Sequence, residues 1–241
     1  MKYKRYYVDQ LVVEGSDVMI EGDEFVHLVS VMRSRIGDNV TLFNGDGFDY
    51  YGTLTNIAKK YAVVHVHERR DGIGEHKKHV TLFQALVKGD KLSTIVQKCT
   101  ELGVYEVVHF ESDFSDVKVG SKNIDKLQKV VVSACKQCGS SVLTKTDREL
   151  KFDDMLCALK NYDAVLFAYE NQGDNHISSV LKKTQNMNNI AVIVGAEGGF
   201  SENEVKKITS AGAIPVSLGD RILRAETAGI VLPALVLLGV E

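Results

Sequence analysis

Two segments near the C-terminal end hold residue types and spacings that could do chemistry. The first, Gly195-Ala196-Glu197-Gly198-Gly199-Phe200, follows the apolar run Ile190 to Val194. It precedes Ser201-x-x-Glu204, a capping box that opens a helix. Three glycines in five residues let backbone approach a ligand closely and leave N–H groups to bind it. The same spacing also makes a tight strand-to-helix turn with a good cap, so the glycines alone leave both uses open. Phosphate fits poorly. There is no G-x-x-x-x-G-K-[ST], Gly72-Ile73-Gly74 lacks a third glycine, and Glu197 would repel an anion. A neutral or cationic ligand with a polar edge suits this loop better. The second segment, Gly219-Asp220-Arg221-Ile222-Leu223-Arg224-Ala225-Glu226-Thr227, follows Val216-Ser217-Leu218 and leads into an apolar helix through Leu238. Its two arginines and two acids could clamp a substrate, or form local ion pairs in a solvated turn.

Ligands of open α/β sheets bind outside the carboxyl ends of the strands, so both segments need a parallel sheet behind them. The sequence offers one. Strand-like runs Val80–Val87, Val104–Phe110, Ala164–Tyr169, Ile190–Val194 and Ile214–Leu218 alternate with helical patterns, which predicts parallel strands with crossover helices. Leu92, Ile95, Val96, Cys99 and Leu102 form one helical stripe, closed by Gly103. Ile124, Leu127, Val130, Val131, Ala134, Cys135 and Cys138 form another, closed by Gly139. Cys135 and Cys138 are spaced C-x-x-C, but no second pair completes a zinc site, and they read as small apolar residues on a buried face.

The N-terminal part has a different texture. From Tyr6 to about Glu68, short alternating apolar runs are punctuated by turn residues, as in a small antiparallel β domain. Asn44-Gly45-Asp46-Gly47 predicts a hairpin turn between Val40–Phe43 and Tyr50–Ile57, and Tyr61 to His67 predicts a further strand. Barrel closure would remove the open edges. The charged run Arg69 to Lys78 marks the boundary, giving domains 1–72 and 73–241.

Composition limits what such a chain can be. Its 241 residues are 44% hydrophobic and 25% charged, the profile of a globular protein rather than a disordered or fibrous one. Ile230 to Val240, the longest apolar stretch, is too short to span a bilayer and is broken by Pro233 and Gly239. Met1 to Arg5 opens no apolar signal segment, and four cysteines make no disulfide framework, so a cytoplasmic protein is expected. With Lys+Arg 29 against Asp+Glu 32, the net charge of -3 excludes a protein that grips nucleic acid by bulk charge. The segment 1–78 is equally balanced, with 11 Lys/Arg against 12 Asp/Glu. Any RNA would be met by local residues such as Lys2, Lys4, Arg5, Arg33 and Arg35, with Lys88 and Lys91 in the second domain.

Taken together, Gly195-Ala196-Glu197-Gly198-Gly199-Phe200-Ser201 and Leu218-Gly219-Asp220-Arg221-Ile222-Leu223-Arg224-Ala225-Glu226-Thr227-Ala228 resemble the paired C-terminal signature of the RsmE family of 16S rRNA uracil-N3 methyltransferases. Lys98-Cys99-Thr100-Glu101-Leu102-Gly103-Val104 resembles the family's K-x-T-E-L-G-V stretch, and Val31-Met32-Arg33-Ser34-Arg35-Ile36-Gly37-Asp38 its N-terminal arginine motif. The resemblance covers nearly the whole chain in order. It implies a PUA-like β barrel followed by a SPOUT domain, an α/β fold whose C-terminal part forms a trefoil knot. Knots run against the general rules of chain topology, so pattern alone does not predict this one. It further implies a homodimer packed through the knotted region, with Ile230–Leu238 at the interface, acting on 16S rRNA within the small ribosomal subunit.

In that family setting S-adenosylmethionine would be held by Gly195, Glu197, Gly198, Gly199, Leu218, Gly219, Ile222 and Leu223. Arg224 would stabilise charge on the uracil oxygens as N3 loses its proton, and Glu226 is the candidate base. Arg5, Arg33 and Arg35 would meet RNA, and no metal is needed. The chain departs from the family pattern in places. Ala196 stands where proline is usual. Ser133 to Ser141 keeps Gln137 but lacks the arginine of E-A-x-Q-x-x-R, and Glu111 to Asp116 is acidic where relatives carry an arginine. These losses leave open a second class, a catalytically silent RNA- or ribosome-binding protein on the same scaffold.

Overall fold

The computed structural model describes residues 4–120, 124–169 and 176–239. Two expectations, Lys2 as a basic contact and Val240 as the end of the apolar stretch, lie outside the described residues. Chain contacts divide the molecule into two compact units, Met1–Glu75 with Cys135–Leu143, and His76–Ala134 with Thr144–Glu241.

The first unit is a curled mixed sheet in the order β1-β3-β4-β5-β2, with β1 Lys4–Tyr7, β2 Asp17–Glu21, β3 Asn39–Phe43, β4 Phe48–Ile57 and β5 Tyr61–Asp71. The hairpin falls where Asn44 to Gly47 predicts it, with Val40 opposite Gly52 and Leu42 opposite Tyr50. Alternation sends Tyr6, Val18, Ile20, Val40, Leu42, Tyr50, Leu54, Val64 and Val66 into one core. The unit departs from an all-antiparallel design in two ways. β1 lies parallel to β3, Lys4 facing Val40, because β1 returns to its partner only after β2 and a helical segment. That segment, α1 Gly22–Val26 continued by a wider helical turn His27–Val31, interrupts the β texture. Arg5 also departs from expectation. Its guanidinium donates to Asp49 Oδ1 at 2.7 Å, Ser140 O at 2.8 Å and Ser141 Oγ at 2.9 Å, and lies over the Phe43 ring. With only 11% of its side chain exposed it binds its own unit together, which leaves little of its guanidinium facing outward for the RNA contact expected of it.

The second unit is a fully parallel six-stranded sheet, order β11-β9-β10-β6-β7-β8. The strands are β6 His79–Ala85, β7 Glu106–Phe110, β8 Glu149–Leu150, β9 Ala164–Ala168, β10 Asn189–Val194 and β11 Ile214–Val216. The helices are α2 Lys91–Leu102, α3 Ile124–Cys138, α4 Phe152–Ala158, α5 Ile177–Thr184, α6 Glu202–Ser210 and α7 Ala225–Leu238. α2 buries Leu92, Ile95, Val96 and Cys99 and ends at Gly103, whose φ of +80° gives the left-handed C-cap that its spacing predicts. The C-x-x-C pair sits on the last turn of α3, which belongs to the first unit, and there Cys135 is buried and its thiol is pushed up to about 12 by burial. A thiol so protonated is a poor metal ligand, as the apolar stripe implies. Among the described residues no helix is long and apolar enough to cross a membrane, and no group of three His, Cys, Asp or Glu side chains could hold a metal.

Candidate active site

The carboxyl ends of three neighbouring strands, β11, β9 and β10, open onto one cavity of about 200 Å³. Strand order explains the gathering. β10 enters the sheet between β9 and β6, and β11 lies outside β9, so loops distant in sequence leave the sheet side by side.

The loop after β10 folds back on itself through Gly199 N–H donating to Ala196 O at 3.0 Å. Gly199 has a φ of +72°, which disfavours any side chain. A Cβ on Gly195 would sit 3.0 Å from Gly199 O, so a side chain there would push the loop open by a few tenths of an ångström. Ser201 then caps α6. Its Oγ accepts from Glu204 N–H, and Glu204 Oε2 accepts from Ser201 N–H at 2.9 Å, completing the box. Glu204 is nearly fully buried and also accepts from Asp113 N–H, while Ser201 Oγ donates to Asp113 Oδ2. The cap thereby fastens the Glu111–Asp116 loop beside the glycine loop. The loop after β11 turns at Gly219, φ +119°, and its Ser217 Oγ accepts from Gly219 N–H.

Gly195, Glu197, Gly198, Gly199, Leu218, Gly219, Ile222 and Leu223 all line the cavity. Sequence reasoning missed Ala168 and Tyr169 after β9, and Ala225 and Ala228 of α7, which line it too, while Arg221, singled out as one of two arginines able to clamp a substrate, is also on the wall. The first two had a signal in the strand-end rule, since Ala164–Tyr169 reads as a strand. Arg224 and Glu226 lie outside the lining. Arg224 is the exposed N-cap of α7, its side chain making no cap bond. Glu226 has Oε2 buried without a hydrogen-bond partner among the described residues, and the ammonium facing it, 3.9 Å away, is Lys91 rather than Arg221 or Arg224. Lys91 Nζ donates to Glu197 Oε1 at 2.8 Å, and Lys88 N–H donates to the same oxygen. Burial pushes the Glu197 carboxyl up, but these donors outweigh it and hold the carboxyl below its ordinary range. Arg33 and Arg35 are exposed in the first unit, on a loop pinned by Lys4 Nζ donating to Met32 O and Ser34 Oγ and by Asp38 accepting from Arg35 N–H.

An all-parallel sheet whose strand ends build a glycine-walled cavity defines an α/β domain with a small-molecule-sized pocket at the place where such sheets bind ligands. The family profile described as RNA methyltransferase domain matches residues 74–237, and that described as RNA methyltransferase PUA domain matches residues 20–66. The ribosomal RNA small subunit methyltransferase E of Rickettsia conorii is 31% identical over 95% of this chain and 93% of its own. The protein of that name from Bacillus subtilis is 30% identical over 93% of this chain and 92% of its own. The crystal structure of the Neisseria gonorrhoeae ribosomal RNA small subunit methyltransferase E, bound to S-adenosyl methionine, superposes with a TM-score of 0.86 at 28% identity, covering 97% of both chains. The chain therefore belongs to the RsmE family of RNA methyltransferases, a PUA-like unit joined to an α/β methyltransferase domain of the SPOUT type.

Proposed function

We propose that this chain transfers a methyl group from S-adenosylmethionine to N3 of a uridine in 16S rRNA of the small ribosomal subunit, in the cytoplasm. One observation carries the reading: the two signature segments, 19 residues apart between Gly199 and Leu218, close around the same cavity with eight expected cofactor residues on its wall. The donor set fits the group. Backbone of Gly195, Gly198, Gly199 and Leu218 offers polar edges, Leu223, Ala225 and Ala228 offer apolar wall, and the Glu197 carboxylate stands at a site for a ligand with cationic character. The cofactor supplies an activated methyl group, so the chain itself has to position and to manage a proton.

Glu226 Oε2, buried and without a donor, accepts the N3 proton of the uracil. Arg224, free of any capping duty, meets the negative charge that spreads to the uracil oxygens. Residues 1–72 bind RNA through Arg33 and Arg35, and residues 73–241 carry the transfer, with the C-terminal segment threaded as a trefoil knot. α7 forms the homodimer interface, because Ile230, Val231 and Leu235 remain only half-buried and Leu238 is exposed on a helix apolar on several sides. Isothermal titration with S-adenosylmethionine tests the reading. Binding at a single site per chain supports it, and a folded chain without affinity refutes it in favour of a silent RNA binder.

A further inference from the structure

Gln84 is fully buried near the end of β6, on a strand that also buries Val80, Leu82, Phe83 and Ala85. Parallel strands covered on both faces are built from apolar residues, so an amide there calls for a reason. Its Nε2 donates to Ala85 O at 3.1 Å and to Gly195 O at 3.2 Å. Gly195 opens the glycine loop and lines the cavity. The Gln84 Oε1 has no hydrogen-bond partner among the described residues. Turning the amide over would set Oε1 against two carbonyls, so the neighbours fix its orientation.

Oε1 faces α7. A Cβ on Gly229 would lie 2.4 Å from it. Pro233, four residues on, brings no N–H, so the Gly229 carbonyl lacks its helical donor. The Cys99 thiol, kept protonated by burial, donates to that carbonyl at 3.6 Å instead. Glycine and proline are the two least favourable residues inside a helix. In α7 they make the seat into which Gln84 and Cys99 fit.

We infer that Gln84 is a positioning residue of the cofactor site: it fastens the Gly195 carbonyl to the sheet, and through Gly229 it makes the set of the glycine loop depend on the seat of α7. The Gly195–Ala196 peptide is trans, so holding its carbonyl toward Gln84 turns the Ala196 N–H the opposite way. The inference rests on the reading of this loop as the S-adenosylmethionine site.

The test is a double-mutant cycle of Gln84→Ala and Gly229→Ala, read by titration of S-adenosylmethionine, thermal melting and steady-state kinetics. Gly229→Ala favours the helix but drives a methyl into Oε1, so it should weaken cofactor affinity about tenfold although Gly229 itself does not line the cavity. Gln84→Ala should weaken it similarly, and the double variant should bind no worse than Gln84→Ala alone, because the clash has gone. KM for S-adenosylmethionine should rise with kcat at saturation retained. If Gln84→Ala does not fold, Gly229→Ala alone decides. Additive losses, or a folded variant with wild-type affinity and a lowered melting temperature, would mark Gln84 as merely structural and overturn the inference. A wild-type chain that does not bind S-adenosylmethionine overturns the cofactor reading instead, and this inference with it.

Discussion

Gly198 stands where the cavity wall is backbone, and the side chain of Phe114 closes the space behind it, 3.0 Å from where a Cβ would be. Gly198→Val should therefore abolish measurable S-adenosylmethionine binding by calorimetry in a protein that still folds; unchanged affinity would remove the loop from the site. Arg224 offers a cleaner separation of chemistry from structure, because its side chain neither caps α7 nor is buried. Arg224→Ala should lower turnover at saturating substrate by roughly a hundredfold or more, about 2.7–4 kcal/mol by precedent for such donors, with no change in melting temperature. At Glu197 the effect is one of pH. Its folded-state pKa lies below the ordinary 4.5, so the stability it contributes is complete above that value and is lost as the pH falls through the lower one. Lys91→Met removes the ammonium at 2.8 Å, and the acid edge of the melting-temperature profile should move to higher pH. An unmoved edge would show that Lys91 does not hold the carboxylate.

Elements show where local pattern suffices and where it fails. The Ser201–Glu204 box was legible because both of its legs are local in sequence. Ser201→Ala should destabilise the unit by about 1 kcal/mol, seen as a shifted denaturant midpoint. The strand-and-helix alternation, the hairpin at Asn44–Gly47 and the Gly103 cap were legible for the same reason. The β1–β3 pairing was not, since nothing within Lys4–Tyr7 names its distant partner. Nor was the fate of Arg5, whose partners Asp49, Ser140 and Ser141 come from remote segments. α7 carries an apolar surplus that the sequence shows at once and the structure leaves half-covered at Ile230, Val231 and Leu235. Sedimentation should find a dimer at micromolar concentration, and Leu235→Glu should shift it to monomer; a wild-type monomer would contradict the interface.

The whole molecule has a net charge of -3, so RNA affinity has to come from a few placed cations rather than from a bulk positive field. Arg33 is the cation we propose for this role, exposed and held at a φ of 49° by the pinned loop. Arg33→Ala should weaken binding of small ribosomal subunits and flatten its salt dependence, with S-adenosylmethionine affinity unchanged. Weak attraction of this kind suits a large, preassembled target. The central claim, methyl transfer to small-subunit rRNA, is tested most directly by incubating the purified chain with small subunits from a strain lacking its gene, using S-adenosylmethionine labelled in the methyl group. Label should enter the rRNA and map to N3 of a single uridine. A chain that binds the cofactor yet leaves the rRNA unlabelled would contradict the account.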